Sequence, residues 1–262
     1  MARTKRWTHE YGGVSVTVVH LSNWAYFDDY IRQEMLDYRE FIWRGQCAAH
    51  WPLEPTLDRI LRRKQQLQNK RARVEHLGKF KLSSRGRRGA HPPQLASDND
   101  WWALGQHFGL ATPLLDWTTS PFVAAYFAFY AEENDNADRR AVWGLAKYAA
   151  ENRSAEIAAG WKSPGRPSVV EFVEPLSDEN ARLVSQGGLF TRAPDGVTIE
   201  DWVHANFPAD KYYCLSKITI PNADRAVALR SLNRMNINHL SLFPDLYGAS
   251  KFVNLDLLID KY

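Results

Sequence analysis

The sequence predicts an α+β fold, in which short strands and amphipathic helices are mixed along the chain. Apolar and polar residues alternate over residues 14–19, which is typical of a strand. Over residues 24–38 apolar residues recur at helical spacing with charges on the other face, which indicates a helix. The segments do not follow a sustained strand–helix–strand order, and no glycine-rich phosphate loop is present. Strands and helices mixed in this order indicate an α+β fold.

The remaining elements are predicted by the same two periodicities. Strands are expected over 41–43, 114–117, 141–148, 168–173, 214–220 and 240–243, and helices over 59–82, 101–108, 121–133 and 224–235. Residues 182–187 are read as a helix end or turn, 51–57 as an extended loop and 83–97 as a mobile loop. Ser120 is a good N-cap with Pro121 at the first helical position, and Asn134 to Asn136 would close that helix.

Composition is that of one globular domain. The 262 residues are 45% hydrophobic and 24% charged, so a sizeable core can form. The longest apolar run, 121–131, is too short to span a bilayer, and the basic N-terminus is not followed by an apolar stretch. Cys47 and Cys214 are too few for a disulfide framework or a zinc site. We expect a cytoplasmic protein with free thiols, no membrane association and no metal.

Positive charge is concentrated in one segment. Residues 59–93 contain twelve Lys or Arg and one acid, Glu75, so the segment carries +11 and the rest of the chain −8. Such asymmetry favours a polyanionic partner or a flexible surface arm, and a solvated face is the simpler alternative. The segment 59–97 is interpreted as a basic insertion, with six candidate nucleic-acid contacts: Arg62, Arg63, Lys64, Arg85, Arg87 and Arg88.

Several polar residues stand inside apolar runs. Arg44 and Gly45 end the predicted strand at 41–43, where an Arg could hold a phosphate and a Gly could let a ligand approach the backbone. The alternative is that Arg44 pairs with an internal carboxylate such as Asp116. His107 could contact a ribose or a phosphate or act as a general base, although a lone His is more often structural.

The turn before the helix at 121–133 is a second candidate. Thr118, Thr119 and Ser120 place hydroxyls and free backbone N–H groups at a helix N-terminus, which suits an anion. For Ser120 plain N-capping is the better interpretation. Asp116, two residues before Thr118, is harder to explain as a cap and could orient Arg44 or His107.

The motif at 41–46 (FIWRGQ) resembles the signature after which the FRG domain is named. The resemblance continues at 51–59 (WPLEPTLDR), 106–110 (QHFGL), 114–128 (LLDWTTSPFVAAYFA), 180–182 (NAR), 186–190 (QGGLF), 217–221 (KITIP) and 242–248 (LFPDLYG). Pro113 stands where the family commonly has Arg, and Tyr247 where an acidic residue is usual. The motifs span most of the chain in order, so residues 1–262 are expected to form a single FRG domain.

The resemblance implies an ADP-ribosyltransferase-like mixed sheet core, since FRG domains look like distant relatives of those enzymes. It would place NAD, as substrate, against Arg44, Gly45, Gln46, His107 and Asp116, with Thr118, Thr119 and Ser120 supporting the nicotinamide ribose. Lys217 stands where the catalytic Glu of that superfamily would be, so Asp245 is nominated as the catalytic carboxylate beside Arg44. The alternative is that Asp245 only caps the turn at 244–248.

The function implied is transfer of ADP-ribose from NAD to a macromolecule, with a nucleic acid as one candidate acceptor in a toxin or phage-defence setting. The alternative is a non-catalytic module that binds a nucleotide or a nucleic acid, which Lys217 favours. A nuclease is the least favoured, because no acidic cluster has metal-ligand spacing.

Overall fold

The structure, a computed structural model, describes residues 5–11, 16–131, 137–175, 181–208 and 214–262. Within them the fold is α+β, as predicted, with eleven α-helices and an open mixed sheet of eight strands. The strands are β1 (Trp7–Tyr11), β2 (Val16–Leu21), β3 (Phe41–Gln46), β4 (Leu115–Thr118), β5 (Arg139–Ala146), β6 (Glu171–Val173), β7 (Gly188–Arg192) and β8 (Leu215–Pro221).

The helices fill the connections and both faces of the sheet. They are α1 (Tyr26–Tyr30), α2 (Thr56–Arg63), α3 (Lys70–Ser83), α4 (Asp98–His107), α5 (Pro121–Tyr130), α6 (Lys147–Gly160), α7 (Ala181–Ser185), α8 (Ile199–Asn206), α9 (Arg225–Arg234), α10 (His239–Leu242) and α11 (Leu246–Leu258). A π-helical turn, Ile31–Met35, continues α1, and a 3₁₀ turn, Asn222–Asp224, precedes α9.

The strand order is β1-β2-β8-β5-β3-β4-β7-β6. β2 and β8 pair in parallel and the other neighbours are antiparallel. β3 pairs with β5 along six residues, from Phe41 with Ala146 to Gln46 with Ala141. On its other side β3 pairs with β4 at Trp43 and Thr118 alone. The sheet is therefore weakly joined between β3 and β4, at the strand that ends in the predicted Arg-Gly motif.

Three apolar clusters hold the helices against the sheet. The first packs α1, α5, α9 and α11 against Phe41 and Trp43. The second lies on the other face, where Trp202 of α8 packs with Trp143 and Trp117. The third joins α2, α3 and α4 to β7 and the edge strand β6. α5 belongs to the first cluster together with Trp43 of β3, and α4 belongs to the third together with Leu114, which precedes β4.

One predicted strand is wrong, and several helices and strands were not predicted. The strand expected over 240–243 is wrong, because residues His239–Leu242 are helical. Asn238 explains this, since its side chain accepts a hydrogen bond from the Ser241 N–H and the Ser241 side chain accepts one from the Asn238 N–H. The predictions also missed α6, α8, α11, β1 and β7, all short or without a clear periodicity.

The predicted basic helix over 59–82 is two helices. α2 ends at Arg63, and Gln65 has a φ of 55°, a left-handed conformation that stops the helix before α3 begins at Lys70. The helix expected to reach residue 133 ends at Tyr130, and residues 132–136 lie outside the described residues, as do residues 14 and 15 of the first predicted strand.

Candidate functional site

A cavity of about 360 Å³ opens where β3 and β4 separate. Beyond the Trp43–Thr118 pair, β3 and β4 no longer pair with each other. The residues on either side of this gap line the cavity, namely Arg44 and Gly45 of β3 and Asp116 and Trp117 of β4. The volume is in the range of pockets that hold nucleotide-sized ligands. The lining residues are Trp43, Arg44, Gly45, Gln106, His107, Asp116, Trp117, Thr118, Ala124, Phe127, Arg182, Leu183, Gln186, Phe190 and Phe243. Five of the residues predicted to bind a nucleotide are among them.

Arg44 joins the two strands at the cavity. Its Nη1 donates to the Asp116 carbonyl oxygen at 2.8 Å and lies 3.5 Å from Asp116 Oδ2. The Arg44 side chain is only 18% exposed, whereas Asp116 is 60% exposed, so water weakens the charge pair. The pairing with Asp116, which the sequence offered as the alternative, is confirmed. The Nε–H of Arg44 is one of the few buried donors without a partner among the described residues.

Gly45 serves a packing role that the sequence did not indicate. A Cβ at Gly45 would lie 2.0 Å from the Ala124 carbonyl oxygen and 2.5 Å from the Ala128 nitrogen. The backbone that approaches Gly45 most closely is therefore helix α5. Gln46 is outside the cavity lining, and its amide bridges Trp143 Nε1, at 2.8 Å, and the Pro52 carbonyl oxygen, at 3.0 Å.

A short polar chain fixes Asp116 from the α4 side. Gln106 Nε2 donates to Asp116 Oδ2 at 2.9 Å, and Gln106 Oε1 accepts from the hydroxyl of buried Thr112. Thr112 also accepts from the Leu114 N–H at 3.2 Å. His107 follows Gln106 at the end of α4, where its ring lies 4.8 Å from the Phe108 ring and lines the cavity. Gln106, the first residue of the QHFGL motif, thus holds the Asp116 carboxylate in place.

The turn after β4 is engaged in backbone contacts. Thr118 lines the cavity, and its hydroxyl donates to the Gln186 carbonyl oxygen at 2.6 Å and accepts from the Ser120 N–H at 3.1 Å. Ser120 Oγ accepts from the Val123 N–H at 3.3 Å, so the N-cap interpretation is confirmed. Thr119 donates its N–H to the Gly187 carbonyl oxygen at 3.0 Å. Of the three turn residues only Thr118 lines the cavity.

Asp245 lies at the start of α11 and does not line the cavity. Its Oδ1 accepts from the Gly248 N–H at 2.9 Å as an N-cap, and its Oδ2 accepts from Nε of Arg182 at 2.8 Å. The Gly248 N–H and the Arg182 guanidinium hold the pKa of this carboxyl below its ordinary value. The strand that was expected to precede Asp245 is helix α10. Arg182, its partner, does line the cavity.

Arg182, Gln186 and Phe243 are cavity residues that sequence reasoning did not select. Their side chains come from α7, the turn after it and the end of α10. Gln186 Nε2 donates to the Leu242 carbonyl oxygen at 3.2 Å, which joins the turn after α7 to α10. A signal was present, because all three lie in the motifs 180–182, 186–190 and 242–248.

Lys217 lies away from the cavity. It pairs in register with Trp143 on β5, and its Nζ is 4.8 Å from the centre of that ring. Burial lowers the pKa of Lys217, and the nearby charge of Glu200 acts in the opposite direction. β5 separates Lys217 from β3, so this position contributes no side chain to the lining.

The basic segment is partly packed and partly exposed. Leu61 of α2 and Leu77 of α3 are buried, and Arg73 forms a buried ion pair with Asp58. The predicted contacts Arg63, Lys64, Arg85 and Arg87 are exposed. Arg62 lies 2.7 Å from Glu54, and Arg88 lies over the Trp101 ring at 5.2 Å. No helix or strand forms between residues 84 and 97.

The described residues also bear on metal sites and on membrane spans. No group of three or more His, Cys, Asp or Glu side chains is placed to hold a metal ion in these ranges. None of the helices built from them has the length and apolar character needed to cross a bilayer.

Comparison with known proteins gives one match. The family model described as FRG domain matches residues 39–137, which run from the start of β3 past the end of α5. No curated protein and no solved structure was found to match the chain. The matched range holds Arg44, His107, Asp116 and Thr118, and β5 to β8 extend the sheet beyond it. Residues 39–137 of this chain are an FRG domain.

Proposed function

We propose that the cavity binds NAD as a substrate and that the protein transfers ADP-ribose to a macromolecule, as the ADP-ribosyltransferase-like resemblance implies. The observation that carries the proposal is the convergence of Arg44, His107, Asp116 and Thr118 on one cavity. Arg44 and Thr118 lie 74 positions apart, yet flank the point where β3 and β4 separate. The guanidinium of Arg44, which is 18% exposed and lines the cavity, supports an anionic ligand, because such a group can donate charge-assisted hydrogen bonds to a phosphate.

Cleavage of the nicotinamide–ribose bond develops positive charge on the ribose, so the reaction needs a carboxylate beside the bond. Asp245, the carboxylate nominated from the sequence, does not line the cavity itself but pairs with Arg182, which does. Asp116 is the carboxylate that lines the cavity among the described residues. The geometry therefore favours Asp116, and Asp116→Asn should reduce nicotinamide release more than Asp245→Asn does.

The decisive experiment follows nicotinamide release and acceptor labelling from radiolabelled NAD, with DNA, RNA and protein acceptors in parallel. Arg44→Ala should lower turnover about 100-fold, since it removes a charge-assisted donor from the site. Arg32→Ala is the matched control, because Arg32 is an exposed, ion-paired Arg that does not line the cavity. Turnover by Arg44→Ala equal to the control would reject the proposed site.

A nucleic-acid acceptor is supported by the position of the basic segment. α3 packs on α4, where Phe80 contacts Trp101, and α4 ends at the cavity with Gln106 and His107. Trp101 and His107 are six residues apart on one helix, roughly 9 Å along its axis. The exposed Arg85 and Arg87 therefore lie in the segment that joins α3 to the start of α4, the helix whose other end lines the cavity.

This part of the proposal predicts salt-dependent binding. Replacing Arg85, Arg87 and Arg88 with Ala should weaken DNA or RNA binding and reduce the slope of log K against log salt by about 2 to 3. Wild-type affinity that is absent at low salt, or a slope unchanged in the triple variant, would remove nucleic acid from the candidate acceptors.

The alternative function is a non-catalytic nucleotide- or nucleic-acid-binding module. Lys217 favours it, because its side chain is stacked on Trp143 and supplies no catalytic carboxylate. Saturable NAD binding without nicotinamide release, under any acceptor, would select this alternative.

A further inference from the structure

We propose that Arg182 is a second phosphate-binding residue of the cavity, which together with Arg44 selects a diphosphate-bearing nucleotide, and that Asp245 positions it. The inference deepens the proposed function and rests on it for the identity of the ligand. Arg182 comes from α7 and Arg44 from β3, so two separate elements each bring a guanidinium to one cavity. Two guanidiniums suit two linked phosphates, each of which can accept from a planar fork of N–H groups.

The orientation of Arg182 is fixed on three sides. Its Nε and Nη2 both donate to Asp245 Oδ2, Nε at 2.8 Å. Its guanidinium carbon lies 5.4 Å from the Phe243 ring centre and 5.3 Å from that of Tyr247. These contacts do not use Nη1, and the side chain keeps 30% of its surface exposed. A guanidinium held in this way loses little further freedom when it binds a ligand.

Asp245 is itself held by the start of α11. It accepts from the Gly248 N–H, and Gly248 must be a glycine because a Cβ there would lie 2.0 Å from the Phe243 carbonyl oxygen. The close packing of α10 and α11 therefore sets the place of Asp245, and Asp245 sets that of Arg182. Since one carboxylate oxygen accepts from α11 and the other from Arg182, the structure assigns Asp245 a positioning role.

The remaining lining suits the rest of a nucleotide. Phe127 and Phe243, both partly exposed, present aromatic surface beside the two arginines. Aromatic rings bind a flat heterocycle through stacking and apolar contact. A cavity with cations and aromatic surface therefore fits a ligand that has both a diphosphate and a base, such as ADP or the ADP half of NAD.

The test is calorimetric titration of the full chain with ADP, AMP and adenosine, which carry two, one and no phosphate groups. Arg182→Leu keeps apolar contact with Phe243 and should weaken ADP binding about tenfold or more, as expected for a lost charge-assisted hydrogen bond. Its effect on AMP should be smaller, and its effect on adenosine absent. Arg182→Lys, which keeps the charge but not the fork, should recover part of the loss. Arg32→Leu is the matched control.

Asp245→Asn separates positioning from catalysis. A positioning role predicts that it weakens ADP binding in the same direction as Arg182→Leu and raises KM for NAD more than it lowers kcat. Unchanged ADP affinity with a collapse of kcat would overturn the positioning role. ADP binding by Arg182→Leu within twofold of the wild type, or no ADP binding by the wild type, would overturn the assignment of Arg182. ADP binding that depends on Arg182 without any NAD turnover would leave this inference standing and reject the transferase.

Discussion

Gly45→Ala should be among the most damaging single methyl additions in this protein. The new Cβ would lie 2.0 Å from the Ala124 carbonyl oxygen and 2.5 Å from the Ala128 nitrogen, both of them backbone atoms of α5. A side-chain rotation cannot relieve such contacts, so β3 and α5 would have to move apart. α5 carries Tyr126 and Phe129, both fully buried in the cluster beneath it, so separation also loosens that core.

The expected cost is about 3 kcal/mol or more of unfolding free energy, at the upper end of overpacking substitutions, because the clash is with backbone. Urea unfolding monitored by tryptophan fluorescence measures it. Gly78→Ala is the matched control, since Gly78 lies inside α3 with no atom within 4 Å of the added Cβ. The control should be stabilised by up to about 1 kcal/mol through helix propensity. Equal unfolding midpoints for Gly45→Ala and the wild type would refute the packing argument.

Three further predictions concern buried polar groups. Burial lowers the pKa of His239 to about 4 from an ordinary 6.5, so the unfolded chain takes up the proton first and stability should fall as the pH drops from about 6.5 to 4, by at most about 3 kcal/mol. Urea unfolding of His239→Gln across this range should show a flatter pH dependence, and an unchanged slope would contradict the assignment. Arg73→Leu should cost about 3 to 5 kcal/mol in the same assay because it leaves the Asp58 carboxylate buried without its main partner, and Asp58→Leu in that background should recover part of the loss. Cys47 should be alkylated in the native protein before Cys214, which is fully buried and whose thiol pKa is raised by burial to about 12, and equal rates by mass spectrometry would show that β8 opens readily.

Local chemistry made part of the site predictable. Ser120 and Pro121 mark the start of α5 because capping depends only on neighbouring residues, and the structure confirms both. Arg44 and Gly45 correctly indicated a strand at whose end the cavity lies, although Gly45 allows the close approach of helix α5 and not of a ligand. The strand expected at 240–243 failed because Asn238 and Ser241 form a capping box, which overrides the apolar run after it.

The sequence by itself determined the α+β class, most strands near the β3–β4 junction, and the FRG motifs, because these follow from periodicity, caps and short runs of residues. Only the tertiary structure decided which motifs meet. Thr118 pairs with Trp43 across a sheet, and Arg182 reaches the same cavity from a helix more than a hundred positions beyond Trp43. Asp245 does not line the cavity, because its carboxylate caps α11 and pairs with Arg182. Such outcomes depend on strand order and on which helix packs where, and no local pattern in the chain encodes them.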